Sequence, residues 1–175
     1  MQSIKTKDSA FAVGAFDIII GIDPDVERSG FAVLDVKRRA ISVSTLPFPE
    51  LVDAIRAVKK QADLNMNNVR VVLEAGYLKK GNWHLKPMDS KSVAAAKGRN
   101  VGMNHQTGVL ICEMCRHLGM TVSEAAPLVK IWRGRDRKIT HAELVNTVGQ
   151  VEHTNQDGRD AALLAWVSAG LPINI

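Results

Sequence analysis

Two short apolar runs, each stopped by an acid, constrain this chain more than any other feature. Ile18, Ile19, Ile20 and Ile22 lead to Asp23, and Val69, Val71, Val72 and Leu73 lead to Glu74. Runs this short and this rich in β-branched residues read as buried strands rather than helices, and the second is continuous enough to sit mid-sheet with both faces covered. A third segment repeats the theme, because Asp157 and Asp160 open the apolar stretch Ala161, Ala162, Leu163, Leu164, Ala165 and Trp166. Acids at the ends of buried elements are costly unless a cation sits among them. A divalent metal ion meets that requirement.

The remaining pattern supplies an order. After Asp23, the turn Pro24–Gly30 leads to a second strand over Phe31–Val36, and Ala40–Leu46 alternates as a third before Pro47 and Pro49 stop it. Pro49 to about Gln61 carries Leu51, Val52, Ile55 and Val58 on one helical side. Beyond the strand Val69–Glu74, Gly76–Pro87 reads as a long exposed loop with two aromatics and three lysines. Asp89 or Ser90 is placed to cap a helix from Lys91 to about Leu118, in which Gly98, Gly102 and Gly108 would permit close approach to the sheet or to another helix. Thr121–Ala125 is a short fifth strand. Thr140, with Glu143 three residues on, marks a capped helix to Val148, and Asp157–Ala169 is a closing helix apolar on nearly every side. The expected fold is α/β, a five-stranded mixed sheet flanked by helices, with 1–16 a loose N-terminal extension and 17–175 one domain.

Twenty-three Lys and Arg against 18 Asp and Glu give a net charge of +5, which favours polyanionic partners. No apolar run is long enough for a membrane span, and Met1–Phe16 lacks the apolar centre of a signal peptide, so a cytoplasmic protein is expected. Cys112 and Cys115 form a CxxC, but they fall within a helical apolar pattern and no second pair completes a zinc site. His84, His105, His117, His141 and His153 show no metal-ligand spacing, although His153 lies near Asp157 and is a distant option for proton transfer. Asp25 and Asp35 are weaker candidates that fit turns.

The order βββαβαβα, with acids after the first and fourth strands and at the start of the last helix, resembles the ribonuclease H-like nucleases. Within them it is most similar to the RuvC type of Holliday junction resolvase. The likeness is carried by Gly21-Ile22-Asp23-Pro24, Ser29-Gly30-Phe31-Ala32-Val33, Val72-Leu73-Glu74, and Asp157-Gly158-Arg159-Asp160-Ala161-Ala162-Leu163-Leu164-Ala165. Asp25 departs from the glycine usual in the family after Asp-Pro, and the loops around 76–87 and 132–138 are this chain's own.

The resemblance implies phosphodiester hydrolysis at Asp23, Glu74, Asp157 and Asp160, acting as ligands of two Mg²⁺ ions, with Mn²⁺ as an alternative. Hard cations prefer carboxylate oxygen, and a metal pair about 3.5 to 4 Å apart activates water and steadies the leaving oxygen. Asp23 is the candidate bridging ligand, Glu74 would hold one ion, and Asp157 with Asp160 the other. Asp157 is equally a candidate helix cap. The family carries an aromatic that stacks on junction bases where this chain has Tyr77, although Tyr77 also suits packing at the lip of the sheet. Trp83 is a second stacking candidate, and Lys79, Lys80 and Lys86 flank the two rings. Lys130, Arg133, Arg135, Arg137 and Lys138 form a second basic cluster, in which Lys130 and Lys138 match family positions near the scissile phosphate. The implied partner is branched DNA, cut by a homodimer whose two-fold axis matches that of the junction. No motif identifies a helicase partner. Cleavage of RNA or an RNA:DNA hybrid, a non-cleaving nucleic-acid-binding protein of the same fold, and an actin-like nucleotide-binding module remain open at this stage.

Overall fold

In the computed structural model, which describes residues 15–79 and 88–173, the strands are β1 (Ile18–Asp23), β2 (Ser29–Asp35), β3 (Ala40–Leu46), β4 (Val69–Glu74) and β5 (Thr121–Ala125). The helices are α1 (Phe48–Leu64), α2 (Lys91–His117), α3 (His141–Val148) and α4 (Gln156–Ser168), with short 3-10 turns at Gly76–Leu78 and Arg135–Arg137. Most of the extension expected over residues 1–16 lies outside the described residues.

The sheet runs in the order β3-β2-β1-β4-β5. β1, β2 and β3 are antiparallel neighbours, whereas β1, β4 and β5 run parallel. The hairpins need only short turns, but each parallel pairing needs a crossover, which α1 and α2 provide. This is the five-stranded mixed α/β sheet that the element order implies. Side-chain alternation divides the core in two. Ile20, Ile22, Val71 and Leu73 face α1 and α2, together with Leu51, Ile55, Ile111, Cys112 and Cys115. Ile19, Ala32, Leu34 and Val72 face α4 and α3, against Ala161, Leu164, Ala165 and Leu144.

Local chemistry explains the ends of the helices. Pro47 precedes α1, and Pro49 sits in its first turn, where a missing N–H costs nothing. Ser90 caps α2 by accepting from the Val93 N–H, and Gly119 leaves the helix at φ +72°. Thr140 and Glu143 form the expected capping box on α3. The cap of α4 is Asn155, whose side chain accepts from the Gly158 N–H, so Asp157 is released from that duty. Both cysteines are buried free thiols in the α1/α2 core, where burial pushes Cys112 up to about 11 and Cys115 up to about 12. They behave as small apolar groups.

The glycines of α2 divide, one lying against the sheet side and two facing open space. In α2, a Cβ at Gly98 or Gly102 would meet nothing, and Gly108 alone of the three touches neighbours, Pro24 and Leu73. A still closer approach belongs to α4. A Cβ at Gly21 would collide with the Ala161 carbonyl oxygen and crowd Ala165, and one at Gly30 would collide with the Asp157 carbonyl. Gly30→Ala is therefore expected to lower unfolding free energy by about 1 to 3 kcal/mol, because the clash is with backbone and cannot be relieved by a rotamer change. Gly102→Ala should raise it by about 0.5 to 1 kcal/mol through helix propensity. Urea unfolding of both variants checks the pair.

Candidate active site

The register of the central strands places the first two acids side by side. Ile22 of β1 is opposite Leu73 of β4, so the next positions along these parallel strands, Asp23 and Glu74, end the two strands together. Asp23 shares parity with Ile19 and Gly21, and Glu74 with Val72, so both carboxylates belong to the face that α4 covers. Because Gly21 and Gly30 allow α4 to lie directly on β1 and β2, its first turn brings Asp157 and Asp160 to the same end of the sheet. All four acids line one cleft, along with Asp25, Tyr77, Asn104, His105, Lys130 and Lys138.

The electrostatics record this crowding. Burial, then the charges of Glu74, Asp160 and Asp157, raise the Asp23 carboxyl well above its ordinary value, and Lys138 opposes them. Burial and then Asp160 push Glu74 up to about 7, against the pull of Lys130, Lys138 and Lys79. Asp157 is also raised, by burial first and by Asp25 next. Three acids from three elements thus share a cost that positive charge would relieve. Among the described residues, no three acid, histidine or cysteine side chains stand close enough to hold an ion without adjustment. Asp160 is already engaged: Oδ1 accepts from Gln156 Nε2 at 2.7 Å and Oδ2 lies 3.5 Å from Lys138 Nζ.

The other candidates divide clearly. Tyr77 lines the cleft, but its hydroxyl donates to Glu124 Oε2 at 2.8 Å and its ring meets His105 edge-on at 5.8 Å, so it is braced against the sheet and α2. Lys79 is exposed beside it, while Lys80, Trp83 and Lys86 lie outside the described residues. Lys130 and Lys138 reach the cleft, whereas Arg133, Arg135 and Arg137 are exposed and do not line it. Asp25 organises the β1–β2 turn, accepting from the Glu27 N–H at 2.9 Å and from Asn104 Nδ2 at 3.1 Å. Asp35, at the far end of β2, pairs with Arg38. His153 packs on His141 at 4.9 Å and is not part of the cleft wall.

Sequence reasoning missed Arg159. Its guanidinium donates to the carbonyls of Ile139 and Thr154 and to Gln156 Oε1, tying the segment before α3 to the start of α4. An arginine between two acids at a helix start was the available signal, since five planar donors there need acceptors.

No protein-family model and no curated protein matches the chain. Solved structures with a similar fold include Thermus thermophilus RuvC in complex with a Holliday junction substrate, at 17% identity and TM-score 0.43, covering 85% of this chain and 89% of that one. A second Thermus thermophilus RuvC structure gives 17% and 0.42 over 88% and 97% of the two chains. Fowlpox virus resolvase in complex with Holliday junction DNA gives 17% and 0.36 over 87% and 97%. What the cleft can do therefore follows from its own side chains.

Glu74 gives the cleft a pH signature. Its raised value belongs to the folded state, so its contribution to stability is full below the ordinary 4.5 and is lost as pH rises through about 7. In chelator, the melting temperature should fall across that interval, and Glu74→Gln should flatten the fall. Thermal melts of both proteins across the pH series check this.

Proposed function

We propose that this chain is a metal-dependent, structure-selective endodeoxyribonuclease that resolves four-way DNA junctions. One observation supports this above the rest: Asp23, Glu74, Asp157 and Asp160, drawn from three elements, line a single cleft that Lys130 and Lys138 also enter. Four carboxylates without a cysteine suit Mg²⁺, or Mn²⁺, better than a softer metal. When bound, a pair of such ions supplies an activated water and stabilises the leaving oxygen of a phosphodiester.

The chain's own residues do the rest. Asp23 feels the charges of Glu74, Asp160 and Asp157 alike and would serve as the shared ligand, with Glu74 holding one ion and Asp157 and Asp160 the other. β1 and β4 hold Asp23 and Glu74 at fixed separation, so little reorganisation is needed when charge develops on the phosphoryl group. Lys130 and Lys138 attract the phosphate to an otherwise acidic cleft, and Lys79 and the exposed Arg133, Arg135 and Arg137 extend that attraction to the flanking duplex. Symmetric incision of a two-fold junction needs two such clefts, which a homodimer would provide. α2 suits the contact, since Gly98 and Gly102 face open space and Val93, Met103 and Leu110 are exposed on the same helix.

The test is Mg²⁺-dependent cleavage of a four-way junction, a linear duplex, an RNA:DNA hybrid and a single strand, side by side on one gel. The junction should be cut first, in paired symmetric positions. Asp23→Asn should reduce cutting by about 10²-fold or more while leaving junction binding in place, as read by gel shift. Preferential cutting of the hybrid would move the assignment to a ribonuclease.

A further inference from the structure

Both oxygens of Asp160 have partners before any metal arrives. Gln156 Nε2 donates to Oδ1 at 2.7 Å, and Lys138 Nζ lies 3.5 Å from Oδ2. Arg159 holds the Gln156 side chain directly and the backbone beside Lys138. Its Nη2 donates to Gln156 Oε1 at 2.9 Å, and its Nε donates at 3.1 Å to the carbonyl of Ile139, the residue after Lys138. Its Nη1 donates to the Thr154 carbonyl and so fixes the chain just ahead of α4. The result is a closed ring, Arg159 to Gln156 to Asp160 to Lys138 to Ile139 and back to Arg159. Ile139 is buried, and the preceding loop folds on itself through Trp132 N–H to Arg137 O and Gly134 N–H to Lys138 O. The backbone that carries Lys138 is therefore held from both sides.

The ammonium contact differs from the rest of the ring. A charge-assisted hydrogen bond is ordinarily about 2.7 to 2.9 Å, so at 3.5 Å the lysine is held by charge more than by directed bonding. Lysine is a mobile point charge on a flexible stem and exchanges partners readily. Its side chain and that of Asp160 keep 33% and 20% of their exposure, so the pair opens onto the cleft.

We infer that Lys138 is the resident counter-ion of the metal-free cleft, seated on Asp160 by the Arg159 ring and displaced when a divalent cation takes that carboxylate. The inference rests on the metal-binding reading of the cleft given above. It accounts for an acidic cleft in which both Asp160 oxygens already have partners, and it gives Lys138 two successive partners. Lys138 neutralises Asp160 while the cleft is empty of metal, and once displaced it remains on the cleft wall, where a substrate phosphate would enter.

The test needs no DNA and no turnover. Mn²⁺ is titrated by calorimetry into wild type, Lys138→Met, Lys138→Arg, Lys130→Met and Asp23→Asn, with thermal melts of each in chelator and in Mn²⁺. Lys138→Met is expected to bind Mn²⁺ about three- to tenfold more tightly than wild type, since no ammonium has to be displaced. It should also melt lower in chelator and gain more from Mn²⁺. Lys138→Arg should keep wild-type affinity. Lys130→Met removes the same charge from the same cleft and should change affinity less. Equal affinities for wild type and Lys138→Met, or equal tightening in Lys130→Met, would overturn the displacement. Absence of Mn²⁺ binding by wild type, or undiminished binding by Asp23→Asn, would sink the metal reading and this inference with it. If Lys138→Met does not fold, Lys138→Gln answers the same question.

Discussion

A helix backbone resting directly on two strands is the contact on which the cleft depends. α4 lies on β1 and β2 at Gly21 and Gly30, where any side chain would meet the carbonyls of Ala161 and Asp157. Ala161 and Ala165 continue the small-residue seam from the helix side. A methyl group at either glycine would push the helix start outward, and Asp157 and Asp160 with it. The acids therefore owe their meeting to residues with no chemistry of their own. Gly158 extends the same economy, because a Cβ there would collide with Thr154 Oγ1 in the segment that Arg159 ties down.

That approach creates an electrostatic problem which the fold answers only in part. Asp23, Glu74 and Asp157 are each pushed toward protonation, with burial the largest cause in every case. Positive charge from Lys130, Lys138 and Lys79 offsets some of this at Glu74, and Lys138 contributes at all three positions. Two rigid hydrophobic layers hold the groups against their mutual repulsion, one on each sheet face. A site strained in this way has most to gain from a multivalent cation, because one ligand then relieves several unfavourable terms together.

Much of the fold was legible because its signals are local. β3, β4 and β5 lie where alternation and apolar runs placed them, and the α3 capping box is written in Thr140 and Glu143. That acids from three elements would share a cleft followed from the element order, since a parallel β1–β4 pair with a helix across it brings those ends together. What stayed hidden depends on partners distant in sequence. Tyr77 suited either base stacking or packing at the lip of the sheet, and only Glu124, 47 residues away, shows its hydroxyl engaged. Of the α2 glycines Gly108 lies against the sheet side, but the tightest seam is at Gly21 and Gly30, where only the position of α4 reveals the need. The α4 cap falls at Asn155, two residues before Asp157, because the Asn155 side chain accepts from the Gly158 N–H. The bend at Asp136 and Arg137, both at positive φ, has no glycine to announce it.

Asn104 adds a mechanical consequence. Its amide oxygen accepts from the Val26 N–H and its amide nitrogen donates to Asp25 Oδ2, each at 3.1 Å, so one side chain of α2 clips the β1–β2 turn from two directions. Gly108, one helical turn further on, rests against Pro24 of the same turn. The hairpin tip and the middle of the long helix are thus coupled like a hinge leaf screwed to its frame. Any tilt of α2, whatever its origin, is handed on to the residues immediately after Asp23.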